Sequence, residues 1–246
     1  MTDYELAVEC CLMAGRLMME SGAETYRAED TMDRMAISQQ LTQSQSFVTP
    51  TGIIFSGNKN HPTKLVRINN RTTDLEKIAL VNGVSRKLAS GEIRLEEAYE
   101  ELKKIDEEHK TYPFWIKIIA ASIASGAFLL LFGAPLFDVP SAMIAGGVGY
   151  SVAEMLEEKT RVKFFAEFLA ALVISVMATF SVAYGLGYEI DKIIIGSVMP
   201  LVPGLLITNA VRDLMAGHFV SGLSKGAEAF LTAFAIGAGV ALVLSL

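Results

Sequence analysis

The densest chemistry in this sequence lies inside one apolar stretch, where Met199-Pro200-Leu201-Val202-Pro203-Gly204 is followed closely by Thr208, Asn209, Arg212 and Asp213. Two prolines three apart each remove a backbone donor and clash with the preceding turn, so a helix running through hydrocarbon must break there. The freed carbonyls need partners within the protein, and breaks of this kind line cavities where half-helix ends and unwound carbonyls face substrates and ions. A packing kink would account for a single proline. Two prolines, a glycine and a polar tail make a functional break the expectation.

A second group of chemically capable residues sits near the N-terminus. Ser21-Gly22-Ala23-Glu24 fits a capping box, with the Ser21 hydroxyl on the Glu24 amide and the Glu24 carboxylate reaching back. Along the helix predicted from Glu24 to Gln40, Arg27, Asp30 and Arg34 fall at i, i+3 and i+7 and share a face. The same spacing also serves a solvated, salt-bridged surface. Glu24, Asp30 and Thr49 are the residues that a hydrolytic site in this region would use, but no nucleophile, histidine base and orienting acid stand out as a set.

The elements that must carry these residues divide the chain. Its 246 residues are 52% hydrophobic, with a mean hydropathy of +0.40, and the charges concentrate before residue 113. Residues 1–112 therefore read as an α+β domain and 113–246 as a membrane domain. In the first part, helical periodicity covers Tyr4 to Met19 and Glu24 to Gln40. Strands follow at Gln45 to Thr49, Ile53 to Ser56 and Lys64 to Ile68, with turn chemistry at Pro50-Thr51-Gly52 and Gly57-Asn58-Lys59-Asn60. Alternation at Phe47/Thr49 suggests one covered face. Helices near Asp74 to Ala89 and Arg94 to His109 complete the order ααβββαα, a small antiparallel sheet backed by helices. Neither GxGxxG nor GxxxxGK[ST] occurs, so no nucleotide cofactor is expected. His61, His109 and His218 lack ligand spacing, Cys10 and Cys11 read as small core residues, and no metal is expected. A net charge of −6 without a basic stripe argues against nucleic acid.

Five membrane spans are predicted, at 114–133, 138–155, 162–185, 190–211 and 224–245. Basic residues cluster at Lys103, Lys104, Lys110 and Lys117, at Lys159, Arg161 and Lys163, and at Arg212 and Lys225. The other connections offer a single lysine. This asymmetry places the N-terminus and the first domain in the cytosol and the C-terminus outside, in keeping with an acidic N-terminus that does not look like a signal peptide. Glu154, Glu167, Asp213 and Glu228 then lie toward the cytosolic ends of spans, with Glu167 deepest. A snorkelling interfacial carboxylate and the wall of a polar vestibule are both open readings of Glu167.

The stretches Ser21-Gly22-Ala23-Glu24-Thr25-Tyr26-Arg27-Ala28-Glu29-Asp30-Thr31-Met32, Thr49-Pro50-Thr51-Gly52, Arg71-Thr72-Thr73-Asp74-Leu75, Pro200-Leu201-Val202-Pro203-Gly204 and Thr208-Asn209-Ala210-Val211-Arg212-Asp213 resemble the threonine/serine exporter (ThrE-like) family, in order along the whole chain. The second membrane half of full-length members does not follow Leu246, so the chain is similar to the large component of the split, two-subunit type, which is associated with dicarboxylate (succinate) export. The resemblance implies a secondary exporter component in the inner membrane, moving threonine/serine or a short dicarboxylate with a second, smaller membrane subunit or as a homo-oligomer. In that reading Pro200, Pro203 and Gly204 present backbone groups to the substrate, Thr208 and Asn209 hydrogen-bond it, and Arg212 holds its carboxylate. Glu167 and Asp213 carry the coupling proton, and Glu24, Arg27, Asp30 and Thr49 form a cytosolic motif. A membrane-anchored hydrolase is the alternative.

Overall fold

The first helix, α1 (Asp3–Glu20), starts on a capping box in which Thr2 and Glu5 exchange side chain-to-backbone hydrogen bonds. The structure, a computed structural model, describes residues 2–108, 112–160 and 162–245, so His109, Lys110 and Arg161 of the sequence reading lie outside the described residues. By contact the chain forms two compact units. One is Met1–Lys110 with Leu205–Ala227, and the other is Thr111–Gly204 with Glu228–Leu246.

In the first unit, α1 packs on α2 (Thr25–Ser38) closely enough that a Cβ on Gly15 would meet the Met32 sulfur at 2.3 Å. Strands β1 (Gln45–Thr49), β2 (Gly52–Ser56) and β3 (Lys64–Arg67) form an antiparallel sheet in sequence order. One face of that sheet is covered, as the alternation at Phe47/Thr49 suggests, and it is the face opposite to Phe47. Val48, Ile53 and Phe55 are buried, whereas Phe47, Ile54 and Leu65, paired across the strands, face outward. A period of two identifies two faces without saying which is covered, and the core chose the face that α1 and α2 can fill. Helix α3 (Leu75–Ser90) is capped by Asp74 and ends at Gly91, whose φ of +75° suits glycine. Helix α4 (Leu95–Glu107) adds Ala98, Leu102 and Ile105 to the core. Cys10 and Cys11 are buried there, and burial pushes the Cys10 thiol up to about 12, where it is inert.

The second unit holds α5 (Phe114–Leu131), α6 (Val139–Thr160), α7 (Lys163–Ala183) and α8 (Ile190–Val198). Their contacts run through small residues: Gly146 lies against Ser125 and the Ser197 carbonyl, and Gly196 against the Leu129 backbone. Asp138, fully buried, caps α8 from outside it by accepting the Tyr188 amide at 2.8 Å and the Glu189 amide at 3.0 Å. After α8 the chain makes a 3-10 turn at Met199–Leu201, breaks at Val202-Pro203, and resumes as α9 (Gly204–Met215), followed by α10 (Phe219–Leu244). Among the described residues, four helices are long and apolar enough to cross a membrane: Phe114–Leu131, Leu136–Thr160, Lys163–Ala183 and Phe219–Leu244. The pair Ile190–Leu201 and Gly204–Met215, bent by 62° at the break, brings the count to as many as five.

Candidate functional site

The loop Ser21–Thr25 must turn α1 into α2 within a few residues, and Gly22 makes this possible at φ +84°, where a Cβ would meet the Thr72 carbonyl at 2.9 Å. The capping box expected of Ser21 and Glu24 is not what closes α2. Glu24 occupies the cap position without a side-chain cap bond, and the Thr25 amide instead donates to Asp213 Oδ1 at 2.9 Å, with the Thr25 hydroxyl on Oδ2 at 2.9 Å. An acid from α9 therefore satisfies the first orphan donor of α2, where the helix dipole favours negative charge. Local sequence cannot show a cap supplied from 188 residues away.

Asp213 is in turn neutralised from α10. Lys225 Nζ lies 2.8 Å from Asp213 Oδ2 and donates to the Ala23 carbonyl at 3.0 Å, and both charged side chains are almost completely shielded from solvent. The short turn between α9 and α10 explains this pairing. It folds the two helices back on each other, so residues 213 and 225 come face to face. Lys225 was legible only as a topology signal, because a lone lysine at a helix end ordinarily reads as an interfacial charge.

Beside this pair, Arg212 Nη1 donates to Glu24 Oε1 at 2.6 Å, and Arg27 Nη1 lies 3.4 Å from Glu24 Oε2. Glu24 is buried while the two guanidiniums remain about half exposed. Burial pushes the Glu24 carboxyl up, but its own backbone amide and the two guanidiniums outweigh that effect and hold it below the usual carboxylate range. Asn209 Nδ2 donates to the Gly22 carbonyl at 2.9 Å. Asn209, Arg212 and Asp213 thus all engage residues 22–25, and Glu24 and Arg27 of the N-terminal motif join them. Glu29, not singled out in the sequence, accepts the Val48 amide at 2.9 Å and lies 3.7 Å from His218 Nδ1. Burial pushes its carboxyl up, above the ordinary range despite the amide.

Other predicted residues stand apart from this cluster. Asp30 pairs with Arg34 one turn on and is exposed, the solvated helix face that its spacing allowed. Thr49 closes the β1–β2 turn, its hydroxyl bonding both the Gly52 amide and carbonyl. With Glu24 in ion pairs, Asp30 on Arg34 and Thr49 in a hairpin, the hydrolase alternative finds no support. Pro200 sits in the 3-10 turn, Pro203 in the break, and Gly204 opens α9, with Thr208 one turn further along it. Glu167, on α7, is buried, and its Oε2 has no hydrogen-bond partner.

Apolar helices of spanning length joined to a small α+β fold define a multi-pass membrane protein. The chain belongs to the ThrE family, described as "Putative threonine/serine exporter", which it matches over residues 9–246. This is a family of exporters, not of enzymes. The chain is similar to the "Probable threonine/serine exporter" of Mycobacterium tuberculosis, 24% identical over 97% of this chain and 45% of that protein. It is also similar to the "Threonine/serine exporter" of Corynebacterium glutamicum, 24% identical over 71% of this chain and 36% of that protein. To the "Probable succinate transporter subunit YjjP" of Escherichia coli it is 21% identical over 100% of this chain and 96% of that protein. The chain spans about half or less of the length of the two exporters. No solved structure matches it.

Proposed function

We propose that this chain is the large component of a secondary exporter, moving threonine/serine or a short dicarboxylate such as succinate across the cell membrane. Residues 1–112 form a cytosolic domain, 113–246 span the bilayer five times with the bent pair as one span, and the C-terminus lies outside. A second, smaller membrane subunit, or another copy of the chain, completes the path. The observation that carries this reading is the Glu24–Arg212 contact at 2.6 Å, placed in sequence just after the Pro200–Gly204 break. Arg212 offers a half-exposed fork suited to a carboxylate, and in this conformation a carboxylate of the protein itself occupies one arm. A substrate carboxylate competes for that arm, Thr208 and Asn209 supply hydrogen bonds, and the broken backbone supplies carbonyls. Glu167 and Asp213 are the two candidate acids for proton coupling. Asp213 already accepts three donors, so the coupling role falls to Glu167.

The test is reconstitution of the full chain, with and without a second subunit, using labelled serine, threonine and succinate in parallel. Saturable, gradient-driven flux of one of the three is expected, and no flux under any arrangement would contradict the reading. The orientation is checked separately. A cysteine in the 185–192 connection should react with an impermeant thiol reagent from outside, whereas one at Lys159 should not.

A further inference from the structure

Helices α7 and α10 carry matching polar positions one turn apart. Lys163 Nζ lies 3.5 Å from Glu228 Oε1, and four residues further along each helix come Glu167 and Thr232. The first pair is a partly exposed ion pair. The second is different. Glu167 is 7% exposed and Thr232 fully buried, and Glu167 Oε2 and Thr232 Oγ1 both lack a hydrogen-bond partner. The Thr232 hydroxyl is nonetheless close enough to act on the Glu167 carboxylate as a hydrogen-bond donor, and the charges of Lys163 on the same helix, Glu228 on α10 and Glu157 on α6 act on it too.

Buried polar atoms are almost always satisfied, and an unmade bond to a buried carboxylate is costly, so two adjacent orphans call for a shared explanation. A metal ion would need several oxygen ligands, and no group of three His, Cys, Asp or Glu able to hold one occurs among the described residues. The Thr232 hydroxyl can donate to the charged Oε2, and one proton reverses that bond. Bound to Oε2 it turns the carboxylate into a donor, and the Thr232 hydroxyl oxygen becomes its acceptor.

Building on the exporter reading above, we propose that Glu167 and Thr232 together form the seat of the coupling proton. Thr232 positions it, and the Lys163–Glu228 pair forms the charged approach. Loading makes one O–H bond on Glu167, unloading breaks it, and no other bond changes.

Two measurements on the full chain test this. In proteoliposomes loaded with whichever of labelled serine, threonine or succinate the protein moves, Glu167→Gln places a permanent donor opposite Thr232. The ratio of gradient-driven net export to substrate exchange should fall at least about tenfold. Thr232→Val should shift the midpoint of the pH profile of net export by about half to one unit, the loss of one hydrogen bond, and Thr232→Ser should restore it. An unchanged ratio in Glu167→Gln, or equal loss of exchange and net export, would overturn the proposal. Infrared spectra of the purified chain in lipid give a readout independent of transport. A titratable carboxylic-acid band should vanish in Glu167→Gln and shift in Thr232→Val, and a spectrum unaffected by Glu167→Gln would refute the proton seat. If no substrate moves yet that band is present and lost as described, the exporter reading fails while the proton seat stands.

Discussion

Asp213 and Glu167 are carboxylates on helices of a membrane protein, both shielded from water, and their surroundings could hardly differ more. Asp213 accepts the amide and hydroxyl of Thr25 and faces the Lys225 ammonium, so its oxygens are engaged from two other elements. Glu167 has an oxygen with no partner and, as its neighbour, a hydroxyl that is equally unpartnered. Asp138 falls beside Asp213 in kind, since two backbone amides hold it at the start of α8. The comparison teaches that burial alone does not assign a role to an acid. A saturated carboxylate fastens elements together, and one left short of a partner is poised to gain and lose a proton.

The sharpest way to break this comparison is to remove the charge of Asp213. Asp213→Asn leaves Lys225 buried without its counter-ion, and the expected loss is about 3 to 5 kcal/mol, read as a lower unfolding midpoint of the full chain in detergent. Replacing both partners with apolar residues, as in Asp213→Leu with Lys225→Met, should recover part of that loss. If Asp213→Asn unfolds like the parent chain, the acid is no fastening.

Smaller effects are expected at the residues that share its loop. Arg212→Lys keeps the charge and loses the planar fork, and Asn209→Ala loses the bond to the Gly22 carbonyl. Each should raise the half-saturation concentration for export about tenfold to a hundredfold, the equivalent of roughly 1 to 3 kcal/mol per buried hydrogen bond left unmade. Unchanged kinetics in both would make the polar tail of the break architectural. Asp138→Ala should cost about 0.5 to 2 kcal/mol as the loss of a helix cap, with little effect on the pH dependence of transport.

The smallest expected effects are in pH dependence, and two acids of the first unit should act in opposite directions. Glu24 is held below the ordinary range, so its contribution to stability is complete above the unfolded carboxylate value and is lost as pH falls through the folded one. Glu29 is pushed above that range, so folding favours its protonated form. That contribution is present at low pH and is lost as pH rises from the unfolded value through the folded one. Unfolding midpoints followed across the acidic range should therefore fall less steeply on acidification in Glu24→Gln than in the parent chain. Glu29→Gln should fall more steeply.

Much of this architecture is legible in residue patterns because local physics dominates it. The Pro200-Pro203-Gly204 break, the three strands and the ends of most helices follow from proline chemistry, β-branched runs and apolar periodicity, and the observed elements agree within a few residues. Helix α10 begins at Phe219, ahead of the span predicted from residue 224, and the charge of its Lys225 is buried against Asp213. Asp213 also hid the cap of α2, because Ser21 and Glu24 carry every local feature of a capping box and lose to this carboxylate from α9. Of the missed parts, Thr25, Glu29 with His218, and Asp138 depend on partners distant in sequence, and Lys225 on Asp213, 12 residues back across the turn between α9 and α10.

The division between fastening and carrying is tested most directly by measuring two quantities on each of two variants, Asp213→Asn and Glu167→Gln, in the full chain. These are the unfolding midpoint in detergent and the ratio of net export to exchange in proteoliposomes. The account predicts that Asp213→Asn lowers the midpoint and that the protein remaining folded keeps the parental ratio, whereas Glu167→Gln keeps the midpoint and lowers the ratio at least about tenfold. The reverse assignment, or a change of ratio in both variants alike, would contradict it.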